Sequence, residues 1–269
     1  MRKITIIGGG QSGFQLAIGL LQKGYQVRVV QNRTAEDLAA GKVLSSQCMF
    51  GDAIQAERDL GIDFWADTCP PVQGISFVVP HPEQPGAKVI DWAGRLERNA
   101  YSVDQRVKIP RWMAEFERLG GRLVMKEASL SDMELYARED DLVIVASGKG
   151  EIGRMFDRDP SKSPYEKPQR ALALTYVHGM APRPEFSAVN FNLIPGVGEY
   201  FVFPALTTSG PCDIMVFEGV PGGPMDCWSD VKSPEQHLET SLNLLNTFLP
   251  WEAERNRAVP LTDDNGILA

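Results

Sequence analysis

Residues 3–30, KITIIGGGQSGFQLAIGLLQKGYQVRVV, decide the fold of this 269-residue chain. The segment opens with a short β-branched run, Lys3–Ile7, which is typical of a strand buried in a parallel sheet. Residues 11–23 have helical periodicity and end before Gly24, and Tyr25–Val30 is a second apolar run. A strand, a glycine loop, a helix and a second strand in this order predict a βαβ unit.

The loop between the first strand and the helix carries the pattern GxGxxG, with glycines at positions 8, 10 and 13. We expect Gly8 to permit the tight turn out of the strand and Gly10 to let the backbone approach a pyrophosphate. Gly13 would let the helix pack close to the sheet. The helix N-terminus adds N–H groups and a partial positive charge. The pattern therefore predicts a site for the ADP half of a dinucleotide, with FAD as the expected cofactor.

The end of the second strand departs from the usual pattern. An acidic residue that binds the ribose hydroxyls commonly stands there, whereas this chain has Gln31, followed by Asn32 and Arg33. The Gln31 amide can still accept a hydroxyl hydrogen bond, although without charge assistance. Arg33 fits a contact with the adenine end, with a phosphate or with the 2′-phosphate of NADP, and it fits equally a solvated loop residue.

The rest of the first half alternates helical and strand patterns. These predict a helix over 52–62, a hairpin of strands 74–80 and 88–92, a helix over 110–119 with Pro110 in its first turn, and strands 122–125 and 142–146. Because Leu142–Ala146 is entirely apolar, we place it centrally in a parallel sheet.

From about residue 170 the pattern changes to short strands separated by glycine and proline turns. The predicted strands are Ala171–Val177, Ala188–Leu193, Tyr200–Phe203 and Asp213–Phe217, and they suggest an antiparallel sheet. A final amphipathic helix is expected over Pro234–Phe248, with Ser233 as its N-cap. The fold class is α/β: a Rossmann-like domain interrupted by a strand-rich second domain.

Composition excludes several classes of function. The net charge of −8 argues against a nucleic-acid partner, since phosphate backbones need clustered Lys and Arg. Apolar runs are too short to span a membrane, and the N-terminus shows no signal peptide, so we expect a cytoplasmic protein. The cysteines at positions 48, 69, 212 and 227 lack metal-ligand spacing and are interpreted as free thiols, and no metal site or hydrolytic triad is expected.

Beyond the glycine loop, the sequence resembles the flavoprotein monooxygenases of the styrene and indole monooxygenase type along nearly its whole length. The segments that carry the resemblance are ITIIGGGQSGFQLAIGL, GKVLSSQCMF, SVDQRVKIPRWMAEFERLGG, DDLVIVASGKG, SPYEKPQRALAL and EGVPGGPMDCW. The first is shared by many FAD enzymes, whereas KPQRAL after a strand that ends in SGKG is more specific to this family.

The resemblance implies an oxygenase component that takes reduced FAD from a separate NADH-dependent flavin reductase, in a transient encounter. In such proteins O2 adds at the flavin C4a carbon, and the hydroperoxide formed transfers one oxygen atom to a small aromatic substrate, making an epoxide. In such proteins the cofactor supplies the chemistry, and the protein shields the flavin hydroperoxide and positions the substrate. No side chain of this chain is therefore predicted to be catalytic, and the resemblance is compatible with a homodimer.

The resemblance also implies domain bounds within a p-hydroxybenzoate-hydroxylase-like fold. Residues 1–72 and 100–165 would form the FAD-binding Rossmann-like domain, and 73–99 with 166–250 would form the inserted substrate-binding sheet domain. Residues 251–269 would start the return to the FAD domain.

Site residues follow from the matched motifs. The cofactor would be bound by Gly8, Gly10, Gln11, Ser12, Gly13, Gln31, Asn32, Arg33, Ser45, Ser46, Gln47, Arg106, Ala146, Ser147 and Gly148. The substrate would contact Ser46, Pro204 and Met215. The family's styrene enzymes have an Asn where Ser46 stands, and a helix-entry ion pair is an alternative role for Arg106.

The sequence ends at Ala269, where the family's returning GD-type segment would begin, so we expect a C-terminally incomplete fold. Such a chain should bind FAD weakly and epoxidise little, because an open flavin ring admits water. Two alternatives stay open: an NAD(P)H-dependent Rossmann oxidoreductase, and a non-catalytic FAD-binding fragment.

Overall fold

A computed structural model describes residues 1–148 and 151–269. Along the chain its elements are β1 (Lys3–Ile7), α1 (Gln11–Gln22), β2 (Gln26–Gln31), α2 (Ala35–Ala40), α3 (Gly51–Asp59), β3 (Val72–Pro80), β4 (Lys88–Ala100), α4 (Gln105–Arg118), β5 (Arg122–Met125), α5 (Leu130–Glu139), β6 (Leu142–Val145), α6 (Glu151–Arg154), β7 (Ala171–Val177), β8 (Ala188–Ile194), β9 (Gly198–Thr207), β10 (Gly210–Gly219), a 3-10 turn (Trp228–Asp230), α7 (Pro234–Phe248), α8 (Pro250–Arg255) and β11 (Ile267–Leu268).

The elements divide into two units, each built from three stretches of chain. Unit 1 comprises Met1–Gly41, Gln55–Phe64 and Gln105–Pro164. Unit 2 comprises Lys42–Ile54, Trp65–Asp104 and Tyr165–Ala269. The second unit is therefore inserted into the first in more than one place, which agrees with the predicted α/β class of a Rossmann-like domain interrupted by a strand-rich one.

Unit 1 is built on a four-stranded sheet in the order β5-β2-β1-β6, and the strands are parallel. Ile6 of β1 and Val29 of β2 are opposite each other and fully buried. Helix α1 covers this sheet with Phe14, whose ring meets Phe116 of α4 edge to face at 5.7 Å between centroids. The glycine loop thus lies at a strand-to-helix junction, as the βαβ pattern predicts.

Strand β6 differs from its predicted central position. Among the described residues it pairs only with β1 and lies at the sheet edge, with Leu142 50% exposed. Its apolar character has another cause, because Val143 and Val145 pack against Tyr136 of α5 and Ile152 of α6.

Helix α4 also differs from its prediction, because it starts at Gln105 and contains Pro110 in its interior. Proline removes one helical hydrogen bond there, but the preceding turn is fixed by burial. Lys108 in that turn is fully buried, and its Nζ donates to Glu57 Oε1 at 2.6 Å while lying 5.0 Å from the Trp112 ring centroid. The Trp112 indole donates to the Ile62 carbonyl at 2.9 Å, so this helix is tied to α3 and the turn that follows it.

Unit 2 is built on a seven-stranded sheet in the order β11-β7-β10-β9-β8-β3-β4. Its pairs are antiparallel except for β3 with β8, which is parallel. The predicted antiparallel sheet is therefore mixed, since the chain leaves this unit after β4 and re-enters it before β7.

The two faces of this sheet carry different cores because side chains alternate along each strand. The helix face packs against α7 and α8 and is defined by Tyr200, Val202, Met215 and Phe217. The loop face packs against the loop before α3 and is defined by Phe203, Ala205, Ile214 and Val216.

The last residues of the chain belong to unit 2. Helix α8 follows α7 directly, and β11 pairs antiparallel with β7 through Ile267 opposite Thr175. Residues 251–269, which we expect to start a return to the dinucleotide-binding domain, thus complete the edge of the second sheet in this structure.

Strand β4 occupies the opposite edge and is much longer than the predicted 88–92. Val89, Ile90 and Trp92 are 54%, 43% and 52% exposed. Only its inner edge is paired among the described residues, with β3. In the described residues no helix is both long and apolar enough to cross a membrane.

Candidate functional site

The glycine loop is shaped by contacts that exclude side chains at two of its three predicted positions. Gly8 has φ +116°, and a Cβ there would lie 2.6 Å from the Ala146 carbonyl. A Cβ on Gly13 would lie 2.0 Å from the Gly8 carbonyl oxygen. These glycines are therefore required by the fold of unit 1 itself.

Gly10 is different, because no atom of the described residues requires a glycine there. It is the N-cap residue of α1 with φ −85°, and a Cβ built on it would meet nothing within 4 Å in the described part of the chain. The first turn of α1 has no acidic residue, and the first N–H groups of any helix lack intrahelical partners. Bare backbone beside the positive end of a helix is what a pyrophosphate requires, so the residues present fit the ADP half of FAD.

The strand-end turn lies against this loop. Ala146 donates its N–H to the Ile7 carbonyl at 2.8 Å, and Gly8 donates to the Val30 carbonyl at 2.9 Å. Ser147 Oγ is buried without a hydrogen-bond partner among the described residues. Gly148 is exposed, while Lys149 and Gly150 of the SGKG motif lie outside the described residues. The structure thus brings the predicted residues 146–148 to the predicted residues 8–13.

The end of β2 is occupied by an amide that faces inward. Gln31 is 9% exposed, and its Nε2 donates to the Arg33 carbonyl at 2.7 Å. Its Oε1 lies where a Cβ on Gly9 would stand, 1.8 Å from that position. Gly9 therefore makes room for the Gln31 side chain, a role that the GxGxxG pattern does not predict. Asn32 and Arg33 are exposed next to it.

Helix α4 brings a further predicted residue to unit 1. Arg106 is 4% exposed, and its Nη1 lies 3.5 Å from the Gly41 carbonyl. Its neighbour Gln105 donates from Nε2 to Gln11 Oε1 at 3.0 Å, which ties the start of α4 to the start of α1. Gln105 was missed because an uncharged residue at a helix start carries no sequence signal of its own.

Ser45, Ser46 and Gln47 lie in unit 2, in the loop before α3. Ser45 is exposed, and Ser46 and Gln47 are partly buried. Val43 and Cys48, on either side of them, pack on the loop face of the sheet. Burial raises the pKa of the Cys48 thiol to about 12, so it stays protonated at neutral pH.

The two other predicted substrate residues lie on the opposite face. Met215 is fully buried in the core beneath α7, and Pro204 lines a cavity on the helix face. Side chains alternate along a strand, so the neighbours Phe203 and Ile214 point to the loop face instead. The structure therefore does not bring Pro204 and Met215 to the same sheet face as the loop of Ser46.

Cysteine and acidic residues form no metal site in the described part of the chain. Cys48, Cys69, Cys212 and Cys227 are free thiols. The described residues contain no group of three or more His, Cys, Asp or Glu side chains that could hold a metal ion.

Family comparisons match both parts of the chain. Residues 148–255 match the family described as "Styrene monooxygenase A putative substrate binding domain". Residues 3–52 match the family described as "NADP oxidoreductase coenzyme F420-dependent".

Among curated proteins, styrene monooxygenase StyA from Pseudomonas fluorescens is 27% identical over 257 residues. A StyA from Pseudomonas sp shows the same identity over the same length. The match covers 94% of this chain and 60% of each relative, so the chain spans 60% of the length of the curated relatives that it matches.

Solved structures share the fold at low identity. The myxobacterial chondrochloren halogenase CndH superposes with a TM-score of 0.68 at 15% identity, covering 99% of this chain and 63% of that one. The flavin-dependent brominase Bmp2 gives 0.65 at 14% identity, covering 99% and 66%. The chain thus shares a two-unit α/β fold with flavin-dependent halogenases, and its sequence is similar to styrene monooxygenase StyA along 94% of its length.

Proposed function

We propose that this chain binds the ADP half of FAD at the Gly8–Gly13 loop and forms the corresponding part of a flavin-dependent monooxygenase. One observation carries the proposal: at the N-terminus of α1, a side chain on Gly10 would meet no atom of the described residues, so no contact among them requires a glycine.

Each neighbouring residue has a role toward the nucleotide. Backbone N–H groups of the first turn of α1 would donate to the diphosphate, and the buried Arg106 adds positive charge to unit 1. Gln31 holds the end of β2 through its bond to the Arg33 carbonyl, which leaves Asn32 and Arg33 to meet the adenosine. The flavin, when bound, supplies the oxygen-activating chemistry.

In unit 2, the proposed substrate is a styrene- or indole-like aromatic molecule and the product an epoxide. The loop of Ser45, Ser46 and Gln47 lies on an apolar sheet face that includes Phe201 and Phe203. Aromatic rings in apolar surroundings suit an uncharged aromatic alkene. Reduced FAD would come from a separate NADH-dependent reductase, a partner that the resemblance of the sequence to two-component enzymes supports.

A second candidate is an NAD(P)H-dependent oxidoreductase. The match of residues 3–52 to an NADP oxidoreductase family favours it. So does the neutral Gln31 beside the exposed Arg33, since an acidic residue there would repel a 2′-phosphate.

Calorimetric titration separates the two candidates. We expect FAD to bind and NADPH to bind at least tenfold more weakly. Gly10→Val should weaken FAD binding by about tenfold or more, because its side chain would occupy the diphosphate position. Gly94→Val is the matched control, since Gly94 also faces open space but lies on β4 of unit 2. Tight NADPH binding without FAD binding, or full FAD affinity in Gly10→Val, would refute the proposal.

The chemical step has its own test. With a flavin reductase, NADH and indole, epoxidation leads to blue indigo, and with styrene to styrene oxide. If FAD binds but neither product forms, the chain is a flavin-binding fragment and the monooxygenase part of the proposal fails.

A further inference from the structure

A cavity of about 350 Å³ opens on the helix face of the unit 2 sheet. It is lined by the starts of β8 and β10, the middle of β9, residues of the 179–187 segment, and Arg255. This is the face opposite the Ser46 loop, so the cavity is separate from the proposed substrate surface. Its volume lies at the lower end of small-molecule pockets, which span about 300–1,000 Å³.

One wall of the cavity carries the positively charged side chain of Arg183, which a hydrogen bond holds in place. Arg183 Nη1 donates to Asn190 Oδ1 at 2.8 Å. The same oxygen accepts from Ser76 Oγ at 2.8 Å, and both Asn190 and Ser76 are buried. Within the described residues no carboxylate forms an ion pair with Arg183 at contact distance, although the charge of Glu252 is close enough to interact with it. The Arg183 Nε is buried without a hydrogen-bond acceptor among the same residues. A buried guanidinium N–H without an acceptor is costly, and a ligand carboxylate could satisfy it.

Another wall of the cavity carries the carboxyl group of Asp213. Asp213 sits on β10 opposite Pro204 of β9, and both line the cavity. Across the part of the chain that the structure describes, the Asp213 carboxylate accepts no hydrogen bond. The second arginine of the cavity, Arg255, does not serve it directly, because its Nη1 donates to Glu252 Oε2 at 2.8 Å and its Nε to the Ala181 carbonyl at 3.0 Å.

We propose that this cavity binds a zwitterionic α-amino acid with an apolar side chain, its carboxylate on Arg183 and its ammonium group on Asp213. Arg183 and Asp213 are both partly buried. A ligand with only one of the two charges would leave the other side chain without a ligand partner, which costs about 1–3 kcal/mol. Apolar side chains on the same face of the sheet, Met180 and Val202, also line the cavity. These side chains suit an aliphatic or aromatic side chain on the ligand.

Three probes of similar size test the proposal on the unaltered protein. L-phenylalanine has both charges, 3-phenylpropionate lacks the ammonium group, and 2-phenylethylamine lacks the carboxylate. By calorimetry near neutral pH we expect L-phenylalanine to bind about tenfold or more tightly than either analogue. If it binds no more tightly than both analogues, or does not bind, the proposal is wrong.

Two variants assign the charges. Asp213→Asn should lower the affinity for L-phenylalanine about tenfold and leave the affinity for 3-phenylpropionate unchanged. Arg183→Gln should also lower the affinity for L-phenylalanine about tenfold, but it should leave the affinity for 2-phenylethylamine unchanged. Asp67→Asn and Arg257→Gln, at exposed positions of the same unit, are the matched controls.

FAD titration of the same variants confirms that they fold and keeps the two proposals apart. Both substitutions lie in unit 2, and the glycine loop lies in unit 1, so FAD affinity should not change. Unchanged L-phenylalanine affinity in both variants would overturn the amino-acid site, whatever the outcome for FAD.

Discussion

At the scale of single residues, the glycines of α1 and the loop before it are present for different structural reasons, although the sequence pattern treats them alike. Gly13 is needed by the fold, because its Cβ would overlap the Gly8 carbonyl oxygen, whereas a Cβ on Gly10 would meet no atom of the described residues. The sequence pattern predicts both positions, but only the surrounding backbone separates the two reasons.

Gly13→Ala should therefore destabilise the protein by about 1–3 kcal/mol, since a rigid backbone atom must move. Gly19→Ala, in the same helix, is the control: its Cβ would lie 3.4 Å from Leu60 Cδ2, an ordinary contact. Alanine there should stabilise by about 0.5–1 kcal/mol. Urea unfolding measures both free energies, and equal values for the two variants would contradict this account.

The buried pair of Lys108 and Glu57 makes a second prediction. Both side chains are fully buried, so removing one charge leaves the other without its counterion. Glu57→Gln should cost about 3–5 kcal/mol, whereas Lys108→Met with Glu57→Leu should recover much of that loss. A double-mutant cycle in urea checks this, and additive losses would disprove the coupling.

Asp213 makes a prediction about pH. Burial raises the pKa of its carboxyl to about 6, against the opposing effect of Arg255 and with Glu252 and His178 nearby. The folded state then binds more protons than the unfolded state between about pH 4 and 6, so this group's contribution to stability falls as the pH rises through that range. Relative to Asp213→Asn, the protein should gain on the order of 1–3 kcal/mol from pH 7 to pH 4. A constant difference in unfolding free energy across this range would refute the assignment.

At the scale of elements, the sequence contains local helix-start signals that were not used to predict helices. Helices α2 and α5 were not predicted, although each begins with a capping box, formed by Thr34 with Asp37 and by Ser129 with Asp132. Such pairs are readable from spacing. The start of α4 was not readable in the same way, because a proline at position 110 suggests a helix start and only tertiary burial carries the helix past it.

Helix α7 shows a local signal that was predicted, and its strength can be measured. Ser233 Oγ accepts a hydrogen bond from the Gln236 N–H at 3.2 Å at the start of the helix. Ser233→Ala should cost about 1 kcal/mol of unfolding free energy. Ser229→Ala, at an exposed position outside the helix, is the control, and an equal cost at both sites would mean that capping contributes nothing.

At the scale of the whole molecule, the two units account for what the sequence could and could not predict. In unit 1, the approach of the 146–148 turn to Gly8 and Gly13 was predictable, because it depends on a contiguous motif and a parallel register. In unit 2, the sheet face of Pro204 and Met215 was not predictable, because it depends on a one-residue shift that an unaligned sequence does not fix.

The same division predicts that ligands of the two units act independently. FAD at about one hundred times its Kd should stabilise the folded state by about 2.7 kcal/mol, and L-phenylalanine at the same relative concentration by a similar amount. Because their proposed sites lie in different units, the two increments should add in thermal unfolding. A joint effect no larger than one alone would show that both ligands compete for one site.

The long edge strand β4 has a consequence for association at high protein concentration. The N–H and C=O groups on its outer edge, beside the exposed Ile90 and Trp92, can pair with an extended segment of another chain. What discourages such addition is the charge spaced along it, including Lys88, Asp91 and Arg98. Replacing these charged residues by neutral ones should therefore favour edge-to-edge association of copies through β4, which light scattering would detect.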